Sequence, residues 1–258
     1  MSTVVVDTWW LTRRRLAVFL AQPGYLAVAL IQPVIWLFLF GNLFHRVVEL
    51  PGFGASSYLD YLVPGVLVMN ALASSMWAGM GTLEEIERGT LNRFLTLPVS
   101  RSAIMNANVV EQAVSTVVQS AIILLLGWLA GARYPGGAAG VAVLIGAAVL
   151  LGSVVGAFSN ALGMLVRERE SIIGINTFLL LPLTFLSTVF MVEELMPGWM
   201  RTIAAYNPLN WAVLAGRSAL SADPDWGLVV SRGGWLLGLA VLAVALSTRT
   251  FRSYQKSV

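Results

Sequence analysis

The chain has no cysteine, one histidine and one lysine, and only 11% of its 258 residues carry charge. Without cysteine there are no disulfides, no thiolate zinc site and no thiol catalysis. The one histidine, His45, has no second histidine to complete a metal site and no G-x-S-x-G elbow to serve, so neither a metal nor a catalytic group is expected. The one lysine, Lys256, follows Gln255. A phosphate loop needs a Gly-Lys pair, so this chain does not bind ATP through that fold. No basic stripe with interleaved aromatics is present, which argues against a nucleic-acid partner. Acidic residues are missing where ion-coupled transport would need them: all thirteen lie in loops, tails or helix ends, and Glu111 precedes the apolar core of its helix. A cation channel with an acidic ring would have to build it from Asp60 or Glu193-Glu194.

What remains is apolar. A soluble domain of this length is about a quarter charged. With a mean hydropathy of +0.78, a polytopic, all-α membrane protein is the class that fits. The expected elements are an interfacial helix at 7–21 and six spans at 25–44, 62–83, 113–130, 138–166, 171–192 and 228–248. The first carries Trp9, Trp10 and Arg13–Arg15, types that favour the headgroup layer. The apolar run after Arg15 is too long for a signal-peptide core and reads as an uncleaved first span. Pro33 should kink it. Gly152 and Gly156 have the spacing of close helix packing.

Arginine sets the orientation. With six spans and both termini cytoplasmic, Arg13–Arg15, Arg88, Arg93, Arg101, Arg167, Arg169, Arg249, Arg252 and Lys256 share one side, against five arginines on the other. A seventh span at 199–220 would bury Asn207, Asn210 and Arg217 in lipid, so the 193–220 segment is expected to lie in or over the outer leaflet.

One polar stretch stands between two strongly apolar ones. Glu84–Arg101 opens with Glu84, Glu85 and Glu87, continues with Arg88, Arg93 and Arg101, and carries Leu91, Phe94, Leu95 and Leu97 along an apolar side. A short mixed-charge amphipathic helix at a membrane surface suits docking against a partner protein.

Three motifs resemble those of the ABC-2 type membrane permeases, closest to the branch typified by daunorubicin-resistance efflux permeases. They are G-T-L-N-R-F-L-T-L-P-V-S-R at 89–101, M-P-G-W-M-R-T-I-A-A-Y-N-P-L-N at 196–210, and Q-P-V-I-W-L-F-L-F-G at 32–41. The likeness extends over essentially the whole chain. It implies a six-span subunit that pairs with a second permease copy, as a homodimer or heterodimer, over two separate ATP-binding subunits that hold ATP and Mg. This chain itself would bind no cofactor. The resemblance implies coupling to the ATPase through Glu84, Glu87, Arg88, Gly89, Thr90, Leu91, Arg93, Phe94 and Pro98. It implies outer re-entrant helices around Pro197, Trp199, Asn207, Pro208 and Arg217. It also implies a substrate path along Asn70, Ser74, Trp77, Asn176, Thr177, Phe178, Thr184, Phe185 and Thr188. That set contains no charge, which suits a hydrophobic or amphipathic small molecule, drug-like or a natural product. Two alternatives stay open: export of a lipid-linked saccharide or envelope lipid, and a channel or facilitator with no motor. The arginine, alanine and glycine bias suggests a bacterial cell membrane.

Overall fold

A computed structural model describes residues 10, 12–13, 23–50, 53, 57–88, 101–166 and 168–255. Most of the expected interfacial helix, and the coupling-segment residues Gly89, Thr90, Leu91, Arg93, Phe94 and Pro98, lie outside the described residues. All regular structure among the described residues is helical.

The chain enters through α1, Pro23–Ile35, which contains Pro33 and continues as a π turn at Trp36–Phe40. After two short helical turns, Gly41–Leu43 and His45–Glu49, α2 spans Tyr58–Met76, started by Ser57, whose side chain accepts the Leu59 N–H. Trp77 breaks the helix, and α3 runs Ala78–Glu87. The long helices α4, Arg101–Leu129, and α5, Gly137–Val166, form a hairpin through residues 130–136. Then come α6, Arg169–Phe185, the short α7, Gly198–Tyr206, α8, Pro208–Leu220, and α9, Trp226–Gln255.

Among the described residues, four stretches are long and apolar enough to cross a membrane: Tyr58–Glu84, Val109–Leu129, Gly137–Val166 and Trp226–Thr250. Val28–Leu43 is apolar but shorter. The expected fifth span at 171–192 is a 17-residue helix that stops at Phe185, and residues 186–192 leave the helix. The cause is Pro182 together with foreign donors. Tyr61 Oη donates to Thr188 O at 2.7 Å and Tyr58 Oη to Phe190 O at 3.2 Å, so the backbone groups that a helix would satisfy are satisfied by side chains.

Burial divides the helices into inner and outer. Of the apolar window in Tyr58–Glu84, 78% is buried, against 17% in Trp226–Thr250. α2 is therefore the interior column, with Leu62, Val63, Val66 and Leu67 fully enclosed, and α9 is peripheral. α5 packs against α2, α3, α4, α8 and α9 and ties the bundle together.

Two helix crossings leave no room for a side chain: α3 on α5, where a Cβ on Gly79 would lie 2.2 Å from Ser159 O and one on Gly163 2.5 Å from Gly79 O, and α5 on α8, where a Cβ on Gly140 would lie 2.3 Å from Ala219 O. At the Gly152/Gly156 pair, a Cβ on Gly152 would lie 2.9 Å from Ser75 Oγ. A Cβ on Gly156 would meet nothing nearer than 3.9 Å.

Candidate functional sites at the two ends of the bundle

The end of the bundle where α3 stops and α6 starts is charged. Arg88 pairs with Glu84 one turn back at 3.3 Å. Glu87 makes a two-point contact with Arg169: Nε donates to Oε1 at 3.3 Å and Nη2 donates to Oε2. This joins the base of the 84–101 stretch to the first residue of α6. Beside the guanidinium the Glu87 carboxyl is held below the usual carboxylate range, and the Arg169 side chain is held above its own. Arginine stays protonated throughout, so the sign follows from Glu87. The contact contributes fully above the unfolded carboxylate pKa and is lost as pH falls through the depressed folded value. Both groups are exposed, so its weight in stability is small and its value is positional.

At the opposite end, α8 is built around polar side chains placed against apolar neighbours. Asn207 caps α8, accepting the Leu209 N–H at 3.0 Å, while its amide donates to Leu183 O and Leu186 O at 2.7 and 2.9 Å. Pro208 occupies the first turn of α8, where its missing N–H costs nothing. Asn210 Oδ1 receives both the Thr188 N–H and the Thr188 hydroxyl, at 2.9 and 2.6 Å. Arg217 donates to Tyr61 O at 2.9 Å, Thr188 O at 3.0 Å and Val189 O at 3.3 Å. Its guanidinium lies 3.5 Å from the centroid of the Tyr61 ring. Pro197 precedes α7, and Trp199 is exposed on it. Asn207→Ala removes a cap and two donors. Thermal unfolding in detergent should show a loss of about 2 kcal/mol.

The residues placed on one path by the resemblance occupy several environments. Asn70 is buried and donates to Gln119 Oε1 at 2.7 Å, joining α2 to α4. Asn176 is buried and donates to Met76 O at 2.6 Å. Ser159 Oγ donates to that carbonyl too, so the break at Trp77 is held from α6 and α5. Thr188 belongs to the Asn210 and Arg217 cluster. Thr177, Phe178 and Phe185 are exposed. The Thr184 hydroxyl is buried with no hydrogen bond among the described residues, and with Asn70 and Phe185 Thr184 lines a cavity of about 50 Å³ that Gln32 and Trp36 complete from the first helix. Ser74 and Trp77 line a different cavity, between α2, α3, α4 and α5. Tyr61, Gln119, Ser159 and Arg169 were not singled out from the sequence as site residues. Of these, Arg169 had been placed only by its charge, among the arginines of the cytoplasmic side.

A bundle whose described residues include four helices long and apolar enough to cross a bilayer is that of a multi-pass membrane protein. The profile of the ABC-2 type transporter family matches residues 6–220, and the chain belongs to that family. It is 30% identical to the Daunorubicin resistance ABC transporter permease protein DrrB1 of Streptomyces coeruleorubidus, over 98% of this chain and 87% of that protein. A ycf38 transport permease of Cyanophora paradoxa is 30% identical over 74% of this chain and 66% of its own. The Probable doxorubicin resistance ABC transporter permease protein DrrC of Mycobacterium tuberculosis is 22% identical over 83% of this chain and 76% of its own.

Proposed function

We propose that this chain is the membrane subunit of an ABC exporter, moving a hydrophobic or amphipathic small molecule out of the cytoplasm or inner leaflet. Two copies form the pore, and two separate ATP-binding subunits dock below and drive alternating access. The observation that carries this reading, beyond family membership, is the Glu87–Arg169 contact. A partner that shifts the 84–101 stretch acts, through this contact, on α6.

The charged end is then cytoplasmic, as the arginine distribution supports, and both termini lie on that side. The first helix and α6 serve as the two shorter spans of six. α7 and α8 serve as re-entrant helices: the chain descends to the level of Leu183 at Asn207 and returns by Leu220 to the α4–α5 turn, where Gly136 N–H donates to Leu220 O at 2.9 Å. The exposed Thr177, Phe178 and Phe185, with Thr184, supply the face of α6 that lines the path between subunits.

A charge-exchange series tests the coupling role. The permease would be purified with its ATPase and reconstituted in vesicles. Glu87→Arg and Arg169→Glu are each expected to leave assembly and ATP hydrolysis in place while cutting transport per ATP about tenfold. The double exchange, Glu87→Arg with Arg169→Glu, should restore it. Full transport in both single variants, or no ATPase bound to the wild type, overturns the reading.

A further inference from the structure

A cavity of about 360 Å³ lies where α5, α6, α8 and α9 meet over α2, and every described side chain of its wall is apolar. Leu72 and Met76 of α2, Leu151 of α5 and Leu209 of α8 close its deep side and are buried. Phe158 of α5 and Leu242 and Leu246 of α9 also line it and are exposed, so it opens sideways on the surface of the peripheral helix. Water does not fill such a space. At about 30 Å³ each roughly twelve molecules would fit by volume, but a buried water needs about two to four polar partners and this wall has no polar side chain to offer. Left empty, the lining would forfeit its dispersion contacts. The wall accepts an apolar occupant.

Its dimensions say which kind. α5 lines the cavity along one face from Leu151 to Ala161, about 15 Å at ~1.5 Å per residue. The hydrocarbon core of a bilayer is ~30 Å thick, so the cavity is as long as the chains of one leaflet. Spread over that length, about 360 Å³ is a cross-section of roughly 24 Å², too narrow for a helix about 10 Å across and wide enough for one hydrocarbon chain.

The depth fits the same leaflet throughout. Leu151 stands at the middle of α5, and the other lining residues of that helix lie toward Val166, at the charged end of the bundle. On α9 the lining runs from Leu239 to Leu246, in the half of that helix that follows its midpoint. Pro208 and Leu209, at the start of α8, close the far end. The lining face of α9, Leu239, Leu242 and Leu246, continues at helical spacing to Arg249, one turn beyond the groove. Arg249 is exposed and has no ion-pair partner among the described residues.

We propose that this groove holds one acyl chain of an anionic phospholipid, drawn from the leaflet on the charged side, with its phosphate against Arg249. The chain lies along α5 between α6 and α9. It packs on Leu179 and Leu183, the wall residues of α6 on either side of Pro182. The site is distinct from the exposed face of α6 that carries Phe178 and Phe185. It needs only the membrane-spanning fold, and neither the motor nor the export reading.

Native mass spectrometry of the delipidated permease in mild detergent, titrated with dioleoyl phosphatidylglycerol or dioleoyl phosphatidylcholine, is the test. The expected result is one lipid per chain held under activation that strips the rest, with the anionic lipid favoured about fivefold or more. Arg249→Gln should lower phosphatidylglycerol affinity about fivefold, the effect of one basic residue at a headgroup, and leave phosphatidylcholine unchanged. Ala243→Phe, which puts a ring into the groove, should remove that one lipid for both headgroups, with helical content and size-exclusion profile unchanged. If that variant does not fold, chain length on the wild type decides. Dihexanoyl phosphatidylglycerol, too short to fill the groove, should be retained at least about tenfold less than the dioleoyl lipid. Equal retention of the two headgroups, indifference to chain length, or an undiminished lipid count in Ala243→Phe overturns the proposal. Loss of a dimer in that variant with lipid retention unchanged overturns it too, because the groove would then be a contact between copies.

Discussion

Arg217→Ala is expected to destabilise the protein by about 3 kcal/mol, since hydrogen bonds to a charged group are worth about 1.5–3 kcal/mol. The guanidinium meets three carbonyls at once, on α2 and on the non-helical stretch after α6, and stacks on the Tyr61 ring. Its removal takes the guanidinium donor from Val189 O and one of two side-chain donors from Thr188 O, which keeps the Tyr61 hydroxyl, at roughly 1–3 kcal/mol for a group left unsatisfied where no water enters. Arg217→Lys separates charge from geometry. A lysine keeps the cation but has no planar fork to span Tyr61 O and Thr188 O together, so it should fall between wild type and alanine. Thermal unfolding in detergent reads both, and an alanine variant as stable as wild type would show that the cluster is not what holds the segment.

Gly79→Val should abolish folded protein outright. The new Cβ would sit 2.2 Å from the Ser159 carbonyl oxygen and 2.8 Å from its hydroxyl. Backbone there cannot yield as a side-chain tip can. The α3–α5 crossing must open, and with it the Gly79 N–H to Ser159 Oγ bond at 3.0 Å and the brace on Met76 O. Overpacking alone costs about 1–3 kcal/mol, and the broken bonds add to it. Size-exclusion chromatography of a fluorescent fusion should show aggregate for Gly79→Val. For Gly156→Ala, where the space is open, it should show a normal peak.

Much of this architecture was legible in residue order, for identifiable reasons. The four long stretches announce themselves because each meets or exceeds the bilayer's ~20-residue requirement with little charge. Asn207-Pro208 reads as a helix start because cap and first-turn proline are local chemistry. The end of α6 at Phe185 was not legible. Residues 186–192 are apolar enough to extend a helix, and what unwinds them is donors from Tyr58, Tyr61 and Arg217, up to 132 positions away in sequence. The Gly152/Gly156 spacing was half informative: a Cβ on Gly152 would lie 2.9 Å from Ser75 Oγ of α2, while one on Gly156 would meet nothing nearer than 3.9 Å, and the crossing of α3 on α5 uses Gly79 and Gly163, on different helices, where no spacing rule looks. Asn70 and Asn176 suited a path lining by type. Only the positions of Gln119 and Met76 reveal them as struts within one subunit.

α6 is pinned at three heights: by Glu87 at its first residue, by the Asn176–Met76 bond near its middle, and by Asn207 at its last turn. Seventeen residues at about 1.5 Å each make it a rod of roughly 25 Å. Such a rod bears load along its axis far better than it bends. Force applied at the Glu87 end therefore arrives at Leu183 and Leu186 with little slack. The one soft joint is at Pro182, where the backbone ladder lacks a rung, and it lies directly beneath the stretch that Arg217 and Tyr61 hold. A load applied at the Glu87 end would meet that joint just before the carbonyls of Leu183 and Leu186 that Asn207 holds.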